Sequence, residues 1–382
     1  MSLSNPGAAP LIAIRPSSHK SAIKIVLFVI AVMVALLLGL IVLLLIGFET
    51  GPIGLLVGFV CATLPVPLYL VLALWIDRYE SEPFWMLATA FFWGALVAVF
   101  IAFVFNTASS VMVAVITEDM KAGQTFGAVI SAPIVEESAK AVILFILFFA
   151  KKDEFDGVVD GVVYATMVGL GFAMTENIQY YGRAALENTE GSLTGLLILR
   201  GLIAPFSHPL FTSLTGIGLG WARQSRSYFL KFIMPVVGLM AAISLHSIWN
   251  GSVTIFGGVG FLLAYLMIMF PAFVIILIVI LLALRREGQV VREFLQVDLQ
   301  GGLLTPDEYE RLCTIRGRMG SSFNALSQRG FGSWRASRQL NQTASELAFH
   351  RSRVARGISS QNASEREIAY RMSLEDLLRR LR

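Results

Sequence analysis

The sequence predicts an all-α fold: a polytopic membrane protein with about eight transmembrane helices and a cytoplasmic, partly helical C-terminal tail. Three observations lead there. The 382 residues are 56% hydrophobic and only 15% charged. Their mean hydropathy of +0.71 exceeds what a soluble domain of this length can hide. The apolar residues fall into long runs, and about 20 in a row are needed to cross roughly 30 Å of hydrocarbon.

Those runs lie near 23–47, 52–75, 84–106, 125–150, 157–181, 193–222, 228–252 and 257–284. The first follows Arg15, Lys20 and Lys24, as a signal peptide would, but its apolar core is too long and no small-residue cleavage motif closes it. It reads as a retained anchor. The chain therefore divides into a cytoplasmic N-terminal segment (1–22), an eight-helix transmembrane domain (23–284) and an Arg-rich cytoplasmic tail (285–382). Cys61 in the second run and Cys313 in the tail are too differently placed to imply a disulfide framework.

Basic residues favour the cytoplasmic side of a membrane. Alternate loops carry eleven of them: Arg15, Lys20, Lys24, Arg78, Lys151, Lys152, Arg223, Arg226, Lys231, Arg285 and Arg286. The opposite loops carry Lys121 and Arg183 amid Glu49, Glu118, Asp119, Glu187 and Glu190. Both termini are expected in the cytoplasm. From residue 285 onward 17 Arg, no Lys and 11 acidic residues give a net charge of +6, against −2 for the rest. Pro306 to Met319 and Ser364 to Leu381 have helical spacing, with Thr305 and Ser364 as N-cap candidates, while Gly320 to Arg338 reads as flexible. The tail is expected to be separate and either solvated or laid on anionic membrane lipid through its arginines. No motif supports nucleic-acid binding.

A charge at the centre of a span costs roughly 2.5 to 3.5 kcal/mol even on the lenient insertion scale, so each one needs a reason. Five ionisable residues qualify: Glu136 and Glu137 in the fourth run, Glu176 in the fifth, His208 in the sixth and His246 in the seventh. Glu136, His208 and His246 each lie 15 residues from a basic residue at the cytoplasmic end of their run, and Glu176 lies 16 from Asp160. At 1.5 Å per residue all four reach roughly the same depth, about 22 to 24 Å. That shared layer in the outer half of the bilayer predicts one site.

Lys140 is four residues from Glu136 and three from Glu137, so it can neutralise either. Adjacent acids point about 100° apart on a helix, so one faces the cavity and the other a neighbour or Lys140. Burial and a nearby cation together can tune a glutamate to act as a general base. His246 and Asn250 share a face, as do His208 and Thr212. Asn250 can orient the imidazole or donate to an oxyanion. Two histidines and a glutamate also form a zinc ligand set with a position left for water. Gly157, Gly161, Gly169 and Gly171 are expected to allow close helix packing.

In order and helix placement, Glu136-Glu137-x-x-Lys140, Phe172-x-x-x-Glu176-Asn177, His208 and His246-x-x-x-Asn250 resemble the PrsW family of intramembrane proteases. Asp77, Arg78, Glu82 and Pro83, with Asp160-Gly161, resemble further signatures of that family, and the likeness covers roughly residues 60 to 255. It implies that Glu136 activates the attacking water with Glu137 and Lys140 beside it. His208 and His246 would polarise that water or hold a metal, Zn²⁺ being the candidate, together with Glu176, and Asn250 would assist the oxyanion. The implied substrate is a single-span membrane protein such as an anti-sigma factor, and the implied location a bacterial plasma membrane. Two other classes use the same residue types: a proton-coupled transporter, and a non-catalytic protein of the bacteriocin-immunity type. No inverted repeat favours the transporter.

Overall fold

The computed structural model describes residues 18–187, 191–357 and 362–382. The expectations placed on Arg15, on the side chains of Lys20 and Lys24, and on Glu190 lie outside the described residues. Among the described residues every regular element is a helix. They run in order α1 (Ser18–Thr63), α2 (Val66–Ile76), α3 (Phe84–Phe92), α4 (Val99–Thr117), α5 (Met120–Phe126), α6 (Ala132–Ala150) and α7 (Val158–Leu186). Then follow α8 (Ser192–Ile198), α9 (Ser207–Gln224), α10 (Tyr228–Ala264), α11 (Phe270–Gln300), α12 (Pro306–Cys313), α13 (Ile315–Ala355) and α14 (Ala363–Leu381). Wider, π-helical turns join consecutive helices at Trp93–Ala98, Gly127–Ser131, Leu199–Ile203 and Tyr265–Met269.

Among the described residues, five helical stretches are long and apolar enough to cross a membrane: Ile25–Ile76, Phe84–Thr117, Val158–Leu186, Ser192–Gln224 and Tyr228–Gln300. The first and last are each broken by a glycine, Gly51 at φ 65° and Gly257 at φ 60°, a left-handed conformation that side-chain-bearing residues avoid. α6 is of similar length, but Glu136, Glu137 and Lys140 give it three charges, so it falls outside that set. Apolar side chains such as Leu27, Phe28 and Leu36 along α1 are more than half exposed, as lipid-facing residues are.

Helix α7 is the axis of the bundle, with 94% of its apolar span buried, packed chiefly against α1 and α9. Small residues make that possible. A Cβ on Gly161 would lie 2.1 Å from the Gly216 carbonyl oxygen, and one on Gly169 would lie 2.7 Å from the Pro209 nitrogen. Close approach along α7 and α9 sets Glu176 beside His208, as the small-residue reading of these glycines requires.

The tail differs from its expected form in several ways. Helix α11 runs unbroken through residues 284 and 285, so the expected domain boundary falls inside a helix. Gly320 to Arg338, expected to be flexible, is helical within α13 apart from a break at Gly330 (φ 81°). Burial of Leu340, Ala344 and Leu347 on the second half of α13 supplies packing that the Ser-, Gly- and Arg-rich composition does not advertise. Thr305 does cap α12, its hydroxyl accepting from Glu308 N at 3.3 Å while the Glu308 carboxylate accepts from Thr305 N at 2.9 Å. Ser364 does not cap α14, which begins one residue earlier after Asn362.

Nor is the tail separate from the membrane-embedded part. Arg353 donates to Glu80 at 2.6 Å, and Arg356 donates to Asp156 at 2.9 Å. Leu295, Leu347 and Leu374 from the tail belong to the same buried apolar cluster as Leu144, Tyr164 and Phe211 from the bundle.

Candidate active site within the helix bundle

Helix α6 enters the bundle through the π-helical turn Gly127–Ser131, a geometry common at functional sites. Its first turns carry Glu136, Glu137 and Lys140, all buried. Glu137 is fully engaged. Lys140 Nζ donates to its Oε1 at 2.8 Å, the Thr212 hydroxyl donates to Oε2 at 2.9 Å, and His246 Nδ1 lies 3.1 Å from Oε1. A carboxylate only accepts, so His246 carries its proton on Nδ1 and turns a free Nε2 lone pair the other way. Stacking on Phe211, with ring centroids 4.6 Å apart, fixes that ring.

Glu136 is oriented differently, as two adjacent acids on a helix must be. The Asn106 amide lies 3.4 Å from its Oε1, and Asn106 is itself held by Ser131 at 2.9 Å, with Ser109 donating to Ser131 at 2.7 Å. Glu136 Oε2 is buried and has no hydrogen-bond partner, although Lys140 Nζ stands 3.6 Å away and His246 Nε2 4.0 Å away. An unsatisfied buried carboxylate oxygen is costly, and its persistence points to a role other than stability.

His208 from α9 completes the group. Lys140 Nζ, which can only donate, lies 3.0 Å from Nδ1, so Nε2 carries the hydrogen toward Glu176 Oε2 at 2.8 Å. Glu176 is in turn paired with Arg200, which also donates to Asn177 at 2.6 Å. Arg200 sits on the π-helical turn after α8 and lies over the Tyr180 ring, 3.9 Å from its centroid.

The structure thus brings Glu136, Glu137, Lys140, Glu176, His208 and His246 into one network. Asn250 stands at its margin: its amide donates to the Ala128 carbonyl at 2.9 Å, and it lines a cavity of about 260 Å³ together with Asn177, Arg200, His208 and Trp249. Sequence reasoning missed Arg200, Asn106 and Ser131. A lone arginine at 200 inside the sixth apolar run was the available signal, since a charge there asks for a partner.

Ligand atoms of Glu136, His208 and His246 all lie within 4.8 Å of one another. This trio differs from the expected set in that Glu136 takes the place of Glu176, whose carboxylate is committed to Arg200 and His208. The donor set fits a divalent cation: an unpartnered carboxylate oxygen, a free imidazole nitrogen whose opposite nitrogen is anchored to a carboxylate, and a second imidazole. His208 would have to release one of its two present partners to serve.

The loop signatures occupy other positions. Asp77 Oδ2 accepts from Glu82 N at 2.8 Å, and the Tyr164 hydroxyl donates to Glu82. Asp160 Oδ2 accepts from the backbone N of Asp156 at 2.8 Å and Gly157 at 2.7 Å, closing the start of α7. Burial pushes the Asp77 and Glu82 carboxyls up. These residues fix the loop between α2 and α3 against α7 and stand apart from the histidines.

Comparison with known proteins agrees with this geometry. Residues 82–276 match the model of a family described as PrsW family intramembrane metalloprotease. A curated protease PrsW of Geobacillus kaustophilus is 32% identical over 164 residues, 42% of this chain and 66% of that protein. The protease PrsW of Oceanobacillus iheyensis is 28% identical over 216 residues, 55% and 86% of the two chains, and that of Bacillus subtilis 32% over 149 residues, 39% and 61%. The chain thus spans just under two thirds of the first of these relatives. No solved structure matches it. With just over half of its length matched by the family model, and the acids and imidazoles of that match gathered in one buried network, this chain belongs to the PrsW family of intramembrane metalloproteases.

Proposed function

We propose that the chain is an endopeptidase that hydrolyses a peptide bond in a membrane-anchored protein, a single-span regulator such as an anti-sigma factor. The observation that carries the reading is Glu136 Oε2, buried without a hydrogen-bond partner 4.0 Å from the free Nε2 of His246. Glu136 takes a proton from water, the water oxygen attacks the scissile carbonyl carbon, and the proton passes to the leaving nitrogen. Glu137 orients His246, and Lys140 bridges the two carboxylates and His208. Asn250, at the edge of the adjoining cavity, donates to the carbonyl oxygen as charge develops there. In the form of this reading that uses a metal, Glu136, His208 and His246 would hold it, Zn²⁺ being the ion that this donor set suits, and activation of the water would then pass from Glu136 as base to the ion. When bound, such an ion lowers the pKa of water and polarises a carbonyl.

The same reading takes the chain to span a plasma membrane eight times with both termini in the cytoplasm. The breaks at Gly51 and Gly257 divide two of the five apolar stretches, and the segment ending in α6 supplies the remaining crossing. The basic residues then fall in alternate loops on one side.

Co-expression of a panel of tagged single-span anti-sigma factors with the wild type and with Glu136→Gln tests the activity. Cleavage present only with the wild type is expected, and equal product with both proteins overturns the assignment. Metal analysis of purified protein, with cleavage followed through chelation and re-addition of zinc, tests the ion.

A further inference from the structure

A second constellation of unsatisfied charge lies far from the site, where the cytoplasmic end of α2 meets the tail. A cavity of about 550 Å³ opens there between α2 and α13. Its charged groups are three guanidiniums, beside the polar side chains of Ser81, Ser322, Asn341 and Gln342. Arg318 is 5% exposed, and both of its terminal nitrogens are buried without a hydrogen-bond partner. Only its Nε is used, donating to the Leu312 carbonyl at 2.6 Å, while the group lies 4.5 Å from the centroid of the Tyr79 ring. Arg78 Nη2 is likewise buried and unpartnered, its Nε donating to the Trp75 carbonyl at 2.7 Å. Arg338 completes the lining. Burial brings Arg318 down to about 10, so it stays cationic at neutral pH, and the nearby Glu287 does not reach hydrogen-bond distance of it. Buried guanidinium donors without an acceptor are costly, and an anion would repay them.

Apart from Ser81, Ser322, Asn341 and Gln342, the rest of the lining is apolar, and it is open to the outside. Val71 is 61% exposed and Leu74 46% on α2, facing Phe323 at 69% and Leu326 at 42% on α13. Val71 and Leu74 lie at the end of the apolar stretch Ile25–Ile76, so this wall continues a lipid-facing surface. Trp75 and Trp334, also in the lining, are the amphipathic residues that membrane interfaces favour. A soluble phosphate compound would meet the arginines but leave the apolar walls bare. An anionic phospholipid satisfies both, its phosphate on the guanidinium groups and its acyl chains along α2 and α13.

We propose that this cavity is a binding site for one anionic phospholipid, through which the Arg-rich tail is clamped to the inner face of the membrane. The shared recognition chemistry is a phosphate monoanion or dianion on Arg78 and Arg318, and the lipid is the source that the apolar walls select.

The test uses the full-length protein in neutral detergent, titrated with phosphatidylglycerol brominated on its acyl chains, with quenching of tryptophan fluorescence as the readout. Saturable quenching is expected, at least tenfold weaker with brominated phosphatidylcholine and strongly reduced in a Trp75→Phe, Trp334→Phe double variant. Arg78→Gln and Arg318→Gln are each expected to weaken the phosphatidylglycerol titration at least tenfold. Should Arg318→Gln fail to fold, Arg78→Gln alone decides. Equal quenching by the two lipids, or an unchanged titration in a folded Arg78→Gln protein, overturns the proposal. So does displacement of the lipid by an equal concentration of inorganic phosphate, which would assign the arginines to a soluble anion.

Discussion

Inside the bundle, Glu136, Glu137, Lys140, His208 and His246 converge in a buried network that leaves one carboxylate oxygen idle. Where the loops meet the tail, Glu80, Asp156, Arg353 and Arg356 form an equally charged group in which each acid is matched to a guanidinium. The two clusters are built from the same residue types, and they differ in what is left over. In the tail junction the pairing is complete, which is how charge is used to fasten one segment to another. In the bundle, Lys140 is shared among two glutamates and a histidine, and the surplus falls on Glu136 Oε2. A surplus acceptor facing a free imidazole nitrogen is unfavourable as packing and useful as chemistry.

Removing the idle oxygen's charge breaks this comparison most directly. Glu136→Gln preserves the side-chain volume and relieves the surplus, so the protein is expected to fold with a melting temperature at or above that of the wild type. Cleavage is expected to fall by about 10³-fold or more, roughly 4 kcal/mol of transition-state stabilisation. Parallel measurement of cleavage and thermal stability checks it. A marked drop in stability would place Glu136 among the structural charges.

Lys140→Met should do the opposite in the fold. It deletes the cation shared by Glu136, Glu137 and His208, all buried, and leaves two carboxylates without their partner. Breaking a buried ion pair by removing one member costs about 3 to 5 kcal/mol. Thermal unfolding in detergent is expected to register that loss, and a companion Glu137→Gln substitution to restore part of it. Recovery in the double variant is the sign that the cost is electrostatic.

Much of this site was legible in the sequence because a membrane makes polar residues conspicuous. Glu136, Glu137, Lys140, Glu176, His208 and His246 are rare chemistry in apolar runs, and equal spacing from the flanking charges put four of them in one layer. Their partnerships were less legible. That Glu176 is committed to Arg200, and that Glu136 joins the histidines, depends on helix rotation, which a shared depth does not specify. Asn106, Ser131 and Ser109 are individually unremarkable in a membrane helix and gain meaning only as a chain ending on Glu136. The tail was read least well. The ion pairs that tie it to the bundle loops join residues some 200 to 270 positions apart, and its Ser- and Gly-rich helix is held by packing against other elements. Composition registers neither.

The matched pairs at the tail junction predict a milder effect. Arg353→Ala with Arg356→Ala leaves Glu80 and Asp156 without guanidinium partners, yet both loops keep their backbone bonds. Burial already holds the Glu80 carboxyl well above its usual range despite Arg353, so it can take up a proton instead. The expected loss is about 1 to 2 kcal/mol, localised to the tail. Limited proteolysis should cut α13 and α14 several-fold faster in the double variant while substrate cleavage by the bundle persists. Abolished cleavage would show that the junction shapes the site as well as the tail.

The smallest expected effect is a pH dependence at the far end of the tail. Arg382 donates to both Glu308 oxygens at 2.8 and 2.9 Å, and with the Thr305 bonds it brings the Glu308 carboxyl down to about 2. A carboxyl whose pKa is lower folded than unfolded contributes its full stabilisation above the unfolded value, near 4.5. That contribution is lost as pH falls through the folded value, near 2. Arg382 is half exposed, so solvent screening keeps the effect below about 1 kcal/mol. Hydrogen exchange of α12 and α14 should therefore rise more steeply between pH 5 and 2.5 in the wild type than in Arg382→Gln, which has already lost most of the pair. Parallel slopes in the two proteins would mean that Thr305, through its capping bonds, holds Glu308 without help from the C-terminal arginine.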